Sequence, residues 1–213
     1  LWSDTHWVRS SVDHFLSLQA NAHGAQVLEE HVLTSAVYDV HEATWSLGVK
    51  AVGEKSAAEL QVRAGWIVDA SGGGNALAQF VSNPLDEAWM RTRTRALYGH
   101  FSGVAAFDQG RSPDDPFDGD AAAQHHVLDR GWCWMLRMDH GITSVGLVEP
   151  CGEENWSEAT FRKCIERYPS LAAMLENAVR TLPTSAMGKA KRLSRCRSAA
   201  MGPGWVLLPV TYG

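Results

Sequence analysis

The run Trp66-Ile67-Val68-Asp69-Ala70-Ser71-Gly72-Gly73-Gly74 carries the strongest chemical signal in the sequence. Three apolar residues followed at once by an aspartate, small residues and glycines read as a short strand, buried on both faces, that stops at a tight turn. The carboxyl edge of a parallel sheet presents backbone N–H groups, and nucleotides bind there in open α/β folds. Glycine lets the backbone approach a phosphate or a flat ring with no Cβ in the way. The same glycines also read as a plain flexible turn, and the run alone does not separate the two.

Other residues carry weaker signals. Trp132 and Trp134 have period-2 spacing, which puts both indoles on one face of a strand and Cys133 on the other. They either line a ligand site or fill a core. His100 lies in a strand-like stretch and either faces a ligand or is structural. The basic run 189–198, with Lys189, Lys191, Arg192, Arg195 and Arg197, reads as a solvated strand face or as a phosphate-facing patch. Cys133, Cys151, Cys164 and Cys196 show no C-x-x-C spacing and read as free thiols in a reducing cytoplasm. His125 and His126 adjoin, so on a strand they point to opposite faces; no metal site is expected.

The elements that must position these residues follow from periodicity. Ser10 and Asp13 make an S-x-x-D helix start, Val12, Phe15 and Leu16 share a helical face, and Gly24 suits a helix end, which predicts a helix over 11–23. A short strand is expected at 25–28. Alternation from Val37 to Ala70 predicts a small antiparallel meander leading into the strand at 66–68. Beyond a boundary at 84–92, strands are expected at 95–104, 124–129, 131–138 and 142–148, with a solvated loop at 108–120 and a hairpin turn at His140-Gly141. Helices are expected at 156–167 and 171–182, and a last buried strand at 204–209. The 213 residues suffice for one large domain or two small ones. With 45% hydrophobic and 20% charged residues the composition is that of a globular protein, and a net charge of −5 gives no basic footprint for nucleic acid. No apolar run approaches the length of a membrane span.

In family order, several motifs resemble those of FAD-dependent halogenases and their monooxygenase relatives. V-D-A-S-G at 68–72 resembles a flavin fingerprint of that family, and W-V-R-S-S-V-D-H-F-L at 7–16 resembles its preceding helix start. G-A-Q-V-L-E-E-H-V at 24–32 is similar to the strand that meets the adenine. A-L-Y-G-H-F-S-G-V at 96–104 resembles the first long strand of the halogenase substrate domain. G-W-C-W-M-L-R at 131–137 falls where that family carries W-x-W-x-I-P, and G-P-G-W-V-L-L-P at 202–209 resembles the strand leading into its final flavin-contacting loop. Met135-Leu136-Arg137 departs from the x-I-P ending, and no G-x-G-x-x-G occurs.

The resemblance implies an α/β fold, with part of an FAD-binding, Rossmann-like domain at 1–83 and 199–213 and an antiparallel-sheet substrate domain at 84–198. It implies FAD as cofactor, with Asp69, Ala70, Ser71 and Gly72 at the phosphate or ribityl turn. Arg9 would lie near the pyrophosphate, or else be a surface arginine. Val32 would offer backbone hydrogen bonds to adenine, or else serve sheet packing. Trp132, Trp134 and His100 would lie on the substrate side. The implied chemistry is oxidation of an organic small molecule through a reduced-flavin oxygen adduct, with a separate flavin reductase as partner and a cytoplasmic location. The family's catalytic lysine would precede Leu1 and its catalytic glutamate would follow Gly213, so no catalytic residue is assigned and the chain is expected to be an inactive internal piece of a longer enzyme. A flavin-dependent reductase of the geranylgeranyl-reductase type and a non-catalytic small-molecule binding domain are the alternatives.

Overall fold

A computed structural model describes residues 6–53, 58–86, 88, 90–107, 112, 114, 118–152, 156–191 and 195–212. Most of the loop expected at 108–120 lies outside them. The chain forms two compact units, one from the described residues of Leu1–Gln19 and Thr92–Leu193, the other from those of Ala20–Arg91 and Ser194–Gly213. These limits differ from the sequence-derived ones chiefly in grouping the start of the chain with the long sheet.

Helix α1 spans Arg9–Ala22. Its end is a Schellman motif: the Gly24 N–H donates to Asn21 O and the Ala25 N–H to Ala20 O, with Gly24 at φ +93°. The helix begins before Ser10, so Ser10 is not its cap. Asp13 is instead held by the Arg9 guanidinium at 2.9 Å, one turn earlier. The apolar face read from the sequence is present, but Phe15 and Leu16 on it are exposed. Residues 25–28 form no strand.

In the second unit, β1 (His31–Asp39), β2 (Thr44–Ala51) and β3 (Leu60–Ala64) form the expected meander, all pairs antiparallel. Alternation, shifted by one residue at the irregularity between Leu33 and Ser35, places Leu33, Ala36, Tyr38, Trp45 and Leu47 toward the core, where Leu77, Trp205 and Leu207 join them. Strand β4 is Ile67–Asp69. Strands β11 (Met201–Gly202) and β12 (Trp205–Leu207) complete a three-stranded sheet in the order β11–β12–β4. The β12–β4 pair is the parallel one among the described strands. Burial of β4 on both faces is a corrected expectation. Trp66 and Val68 are exposed, because alternation turns only Ile67 and Asp69 inward. A short helix, α4 (Pro209–Tyr212), follows β12.

In the first unit, β5 (Thr94–Ser102), β6 (Gln124–Leu128), β7 (Gly131–Arg137) and β8 (Ile142–Pro150) agree with the sequence reading. The sheet runs β10–β5–β8–β7–β6, where β10 is Gly188–Ala190, and β9 (Val179–Leu182) also pairs with β5. Helices α2 (Glu158–Ile165) and α3 (Pro169–Leu175) contribute to the core with this sheet. Ser157 caps α2 by accepting from the Thr160 N–H, and Phe161, Cys164 and Ile165 recur at helical spacing on its buried face. They join Leu97, Phe101, Cys133, Met135, Val145 and Leu147 in one core. The expected second helix is cut short: 179–182 is strand β9, because its backbone pairs with the open edge of β5.

Trp45 ties the meander to the β11–β12 turn by donating from Nε1 to Gly204 O at 2.8 Å. Gly204 O also accepts from the Ile67 N–H at 2.9 Å. Trp45→Phe should therefore cost only about 1 kcal/mol, since the carbonyl keeps one partner, whereas Trp45→Ala should cost ~3–5 kcal/mol through the cavity it opens. Urea unfolding midpoints at unchanged slope check both values.

Candidate functional site

The carboxyl ends of β4 and β12 lie side by side, in the register Val206 to Val68 and Leu207 to Asp69. The ladder continues one residue, with the Leu208 N–H donating to Asp69 O at 3.0 Å. Beyond that the two chains part and Asp69 takes over. Its carboxylate accepts from the Ser71 N–H and the Leu77 N–H, both at 2.9 Å, and the residue is 5% exposed. Ser71 Oγ accepts from the Ala76 N–H, and the Gly72 N–H donates to Oγ1 of the buried Thr211 in α4 at 2.9 Å. Gly72 at φ +57° and Asn75 at φ +48° close the turn in left-handed conformations. Asp69, Ala70, Ser71 and Gly72 are thus brought together, with Asp69 acting as the inner brace of the turn.

Below the turn lies a network that sequence reading missed. Arg197, read as part of a solvated basic face, is half-buried; its Nε donates to Asn75 Oδ1 at 3.2 Å and its Nη1 to Asn83 O at 2.9 Å. Asn83, 3% exposed, donates to Ala199 O and accepts from Ser198 Oγ and the Ala199 N–H. The Arg195 guanidinium donates to Val210 O and lies 3.4 Å from where a Cβ on Gly73 would stand. Burial pulls the Asp69 carboxyl upward, but hydrogen bonds from Ser71 and Leu77 and the Arg197 charge outweigh it and hold the group below its ordinary value.

In the first unit, Trp132, Trp134 and His100 share the sheet face opposite the helix-packed core, while Cys133 points into that core. Trp134 pairs in register with Gly146, which pairs with Tyr98, which pairs with Gly188. A Cβ on Gly146 would meet the Trp134 ring at 2.0 Å, and one on Gly188 would meet the Tyr98 ring at 2.5 Å. Each aromatic therefore lies flat over a glycine. The Trp134 indole donates to Ser144 Oγ at 3.2 Å and lies 6.3 Å, centroid to centroid, from the Tyr98 ring. Tyr98, Ser144 and the two glycines escaped the sequence reading; glycines inside strand patterns were the available signal.

The remaining candidates stand apart. Arg9 is exposed and paired with Asp13. Val32 is 49% exposed on β1, in register with Lys50. The thiols of Cys133 and Cys164 belong to the core. Burial and the neighbouring Cys164 push Cys133 up to about 12, and burial with Glu149 raises Cys164. Neither is suited to nucleophilic chemistry.

Because the folded-state Asp69 carboxyl is depressed, its contribution to stability is present above the unfolded value of about 3.9 and is lost as pH falls through the lower folded one. Asp69→Asn should cost ~1–3 kcal/mol at neutral pH by denying one amide its acceptor. The gap between wild type and variant should shrink below about pH 4. Chemical unfolding at stepped pH reads both. Gly146→Ala should drive the Trp134 indole off the sheet and cost ~1–3 kcal/mol, visible as a change in near-UV circular dichroism alongside the unfolding midpoint.

No family model matches the sequence. The halogenase PrnC of Pseudomonas fluorescens, which acts on monodechloroaminopyrrolnitrin, is 24% identical over 96% of this chain and 36% of its own length. The tetracycline 7-halogenase of Kitasatospora aureofaciens is 23% identical over 98% of this chain and 38% of its own. The chain thus spans somewhat over a third of the curated relatives it matches. Among solved structures, the halogenase PltM with phloroglucinol and FAD superposes with a TM-score of 0.82 at 21% identity, covering 98% of this chain and 42% of PltM. A flavoprotein/dehydrogenase of Cytophaga hutchinsonii gives 0.75 at 20% identity, covering 96% of this chain and 47% of that one. In sequence this chain is similar to flavin-dependent halogenases, and its fold is a mixed α/β one with mostly antiparallel sheets, shared with FAD-bound members of that group over the part it covers.

Proposed function

We propose that this chain is part of an FAD-dependent oxidoreductase of the halogenase and monooxygenase type, acting on an organic small molecule. The observation that carries the reading is the glycine turn at the joined carboxyl ends of β4 and β12, within a chain similar to halogenases along nearly its whole length. The residues fit the cofactor. At Gly72 the Val210 side chain, 3.7 Å from where a Cβ would stand, is the one such contact among the described residues, and the missing Cβ lets a phosphate or a ring approach the backbone. Bound FAD would supply the oxidising chemistry, with electrons from a separate flavin reductase and oxygen as co-substrate.

Within this reading, the unit containing Ala20–Arg91 and Ser194–Gly213 belongs to the FAD-binding domain and the long sheet to the substrate domain. Asp69 holds the turn, and Ala70, Ser71 and Gly72 present it to the cofactor. Val32 offers its backbone to the adenine. Arg9 exchanges Asp13 for the pyrophosphate, a surface pair that costs little to break. Trp134, pinned by Ser144, forms with Trp132 and His100 a wall that positions substrate and excludes water. The absence of C-x-x-C spacing and the four free thiols favour a cytoplasmic location. No described helix is long and apolar enough to cross a membrane.

The test uses the complete open reading frame containing these residues, purified and examined for flavin absorbance, then supplied with NADH, a flavin reductase, halide and an aromatic substrate. Retained FAD with halide-dependent product is the expected result. Oxygen consumption without halide incorporation would assign hydroxylation, reduction of an alkene without oxygen would assign a reductase, and failure to bind FAD would overturn the reading. Gly72→Val, which strains a left-handed backbone, should weaken FAD binding about tenfold, equivalent to ~1.4 kcal/mol, while circular dichroism stays unchanged.

A further inference from the structure

A cavity of ≈ 360 Å³ lies in the long-sheet unit beside β5 and β10, and the flavin reading makes no use of it. The charged side chains among its described lining are Arg95, Lys189 and Lys191, all cationic, in a chain of net charge −5. Two of them come from the basic run that the sequence left open between a solvated face and a phosphate-facing patch. The Arg95 guanidinium is fixed in orientation. It lies 3.9 Å over the Trp156 ring and donates from Nη1 to Gly152 O at 3.1 Å. Trp156 also lines the cavity and is 7% exposed, and its indole Nε1 is buried with no hydrogen-bond acceptor among the described residues. A buried donor left so is uncommon in folded proteins and points to an acceptor that the protein itself does not provide. Ala96, Leu97 and Ala190 supply apolar wall. The volume is that of a small-molecule site. Glu153 and Glu154, which stand between Gly152 and Trp156 in the sequence, lie outside the described residues.

We propose that this cavity binds a small organic oxyanion, a carboxylate or phosphate monoester with an apolar body. Lys189 and Lys191 hold the charge, the Arg95 guanidinium fixes the Trp156 ring, and Trp156 offers its N–H. The site is independent of the flavin reading. It lies wholly in one unit, and its lining includes none of the residues assigned to the cofactor.

Calorimetric titration of the full-length protein containing these residues with phenyl phosphate, phenylacetate and uncharged benzyl alcohol tests the proposal. At least one acid should bind saturably, more weakly as salt rises, and the tighter of the two identifies the headgroup. The double variant Lys189→Ala/Lys191→Ala, confined to exposed side chains, should weaken that binding about tenfold. Trp156→Phe, which keeps a ring but removes the N–H, should weaken it roughly threefold. If Trp156→Phe does not fold, the lysine variant decides. Absence of saturable acid binding, equal binding of benzyl alcohol, or unchanged affinity in the lysine variant would each overturn the proposal.

Discussion

The last residue of β4 is an aspartate whose two oxygens turn back into its own chain. A parallel pair of strands loses its ladder where the chains part, and the backbone groups just beyond need new partners. Asp69 supplies them with charge-assisted acceptors for Ser71 and Leu77, worth about 1.5–3 kcal/mol each. Both bonds form only if the chain between them curls tightly, and that curl sets Gly72 and Asn75 at positive φ. Thr211 then takes the Gly72 amide, which ties α4 to the turn, and Arg197 takes Asn75 and Asn83 from beneath. Leu77, Asn83 and Thr211 are buried and Gly72, Asn75 and Arg197 half-buried, so loss of one leaves others unsatisfied in a poorly solvated place.

The long sheet meets a different constraint with a different device. One face must carry the core against α2 and α3, and it does so with Leu97, Val145, Leu147 and Cys133, all fully buried. The other face holds the aromatics Trp132, Trp134 and Tyr98. Trp134 and Tyr98 lie flat because glycines stand opposite them in register, which lets each ring contact backbone instead of a neighbouring side chain. The Trp134 N–H is then spent on Ser144. A ring so placed has few rotamers left, and a wall of fixed rings suits orientation of a flat substrate better than a mobile one would.

Much of this was legible in the sequence. Period-2 alternation located the meander, β5 and the β6–β8 strands, and it put Cys133 opposite Trp132 and Trp134. Gly24 marked the end of α1 through its Schellman bonds. The failures have physical causes. Periodicity did not separate the helix from strand β9 because apolar residues continue on both sides of Glu176-Asn177, and only pairing with the open edge of β5 decides the matter. Trp66 and Val68 were assigned to a core because short apolar runs do not reveal whether one face or both are covered. Arg197 looked like solvent-facing charge because its partners, Asn75 and Asn83, lie more than a hundred residues earlier in the chain. Asp69 was found, but its direction was not. A sequence places a carboxylate at a strand end without saying whether it faces outward to a ligand or inward to amides.

That inward direction bears on how an edge of this kind can recognise anything. With both Asp69 oxygens and the Gly72 amide already engaged, the side chain of the aspartate has little left to offer a ligand directly. What the edge does offer is shape: a backbone held in left-handed turns, with Val210 Cγ1 at an ordinary contact distance of 3.7 Å from where a Cβ would stand at Gly72. Recognition through shape depends on the brace even though the brace touches no ligand. A change at Asp69 or Thr211 would then act by letting the turn relax toward ordinary φ values, so it would be felt first in affinity and only secondarily in the identity of what binds. On the flavin reading, this also explains why residues of little chemical character, alanine, serine and glycine, follow the aspartate. They are the ones the brace can bend.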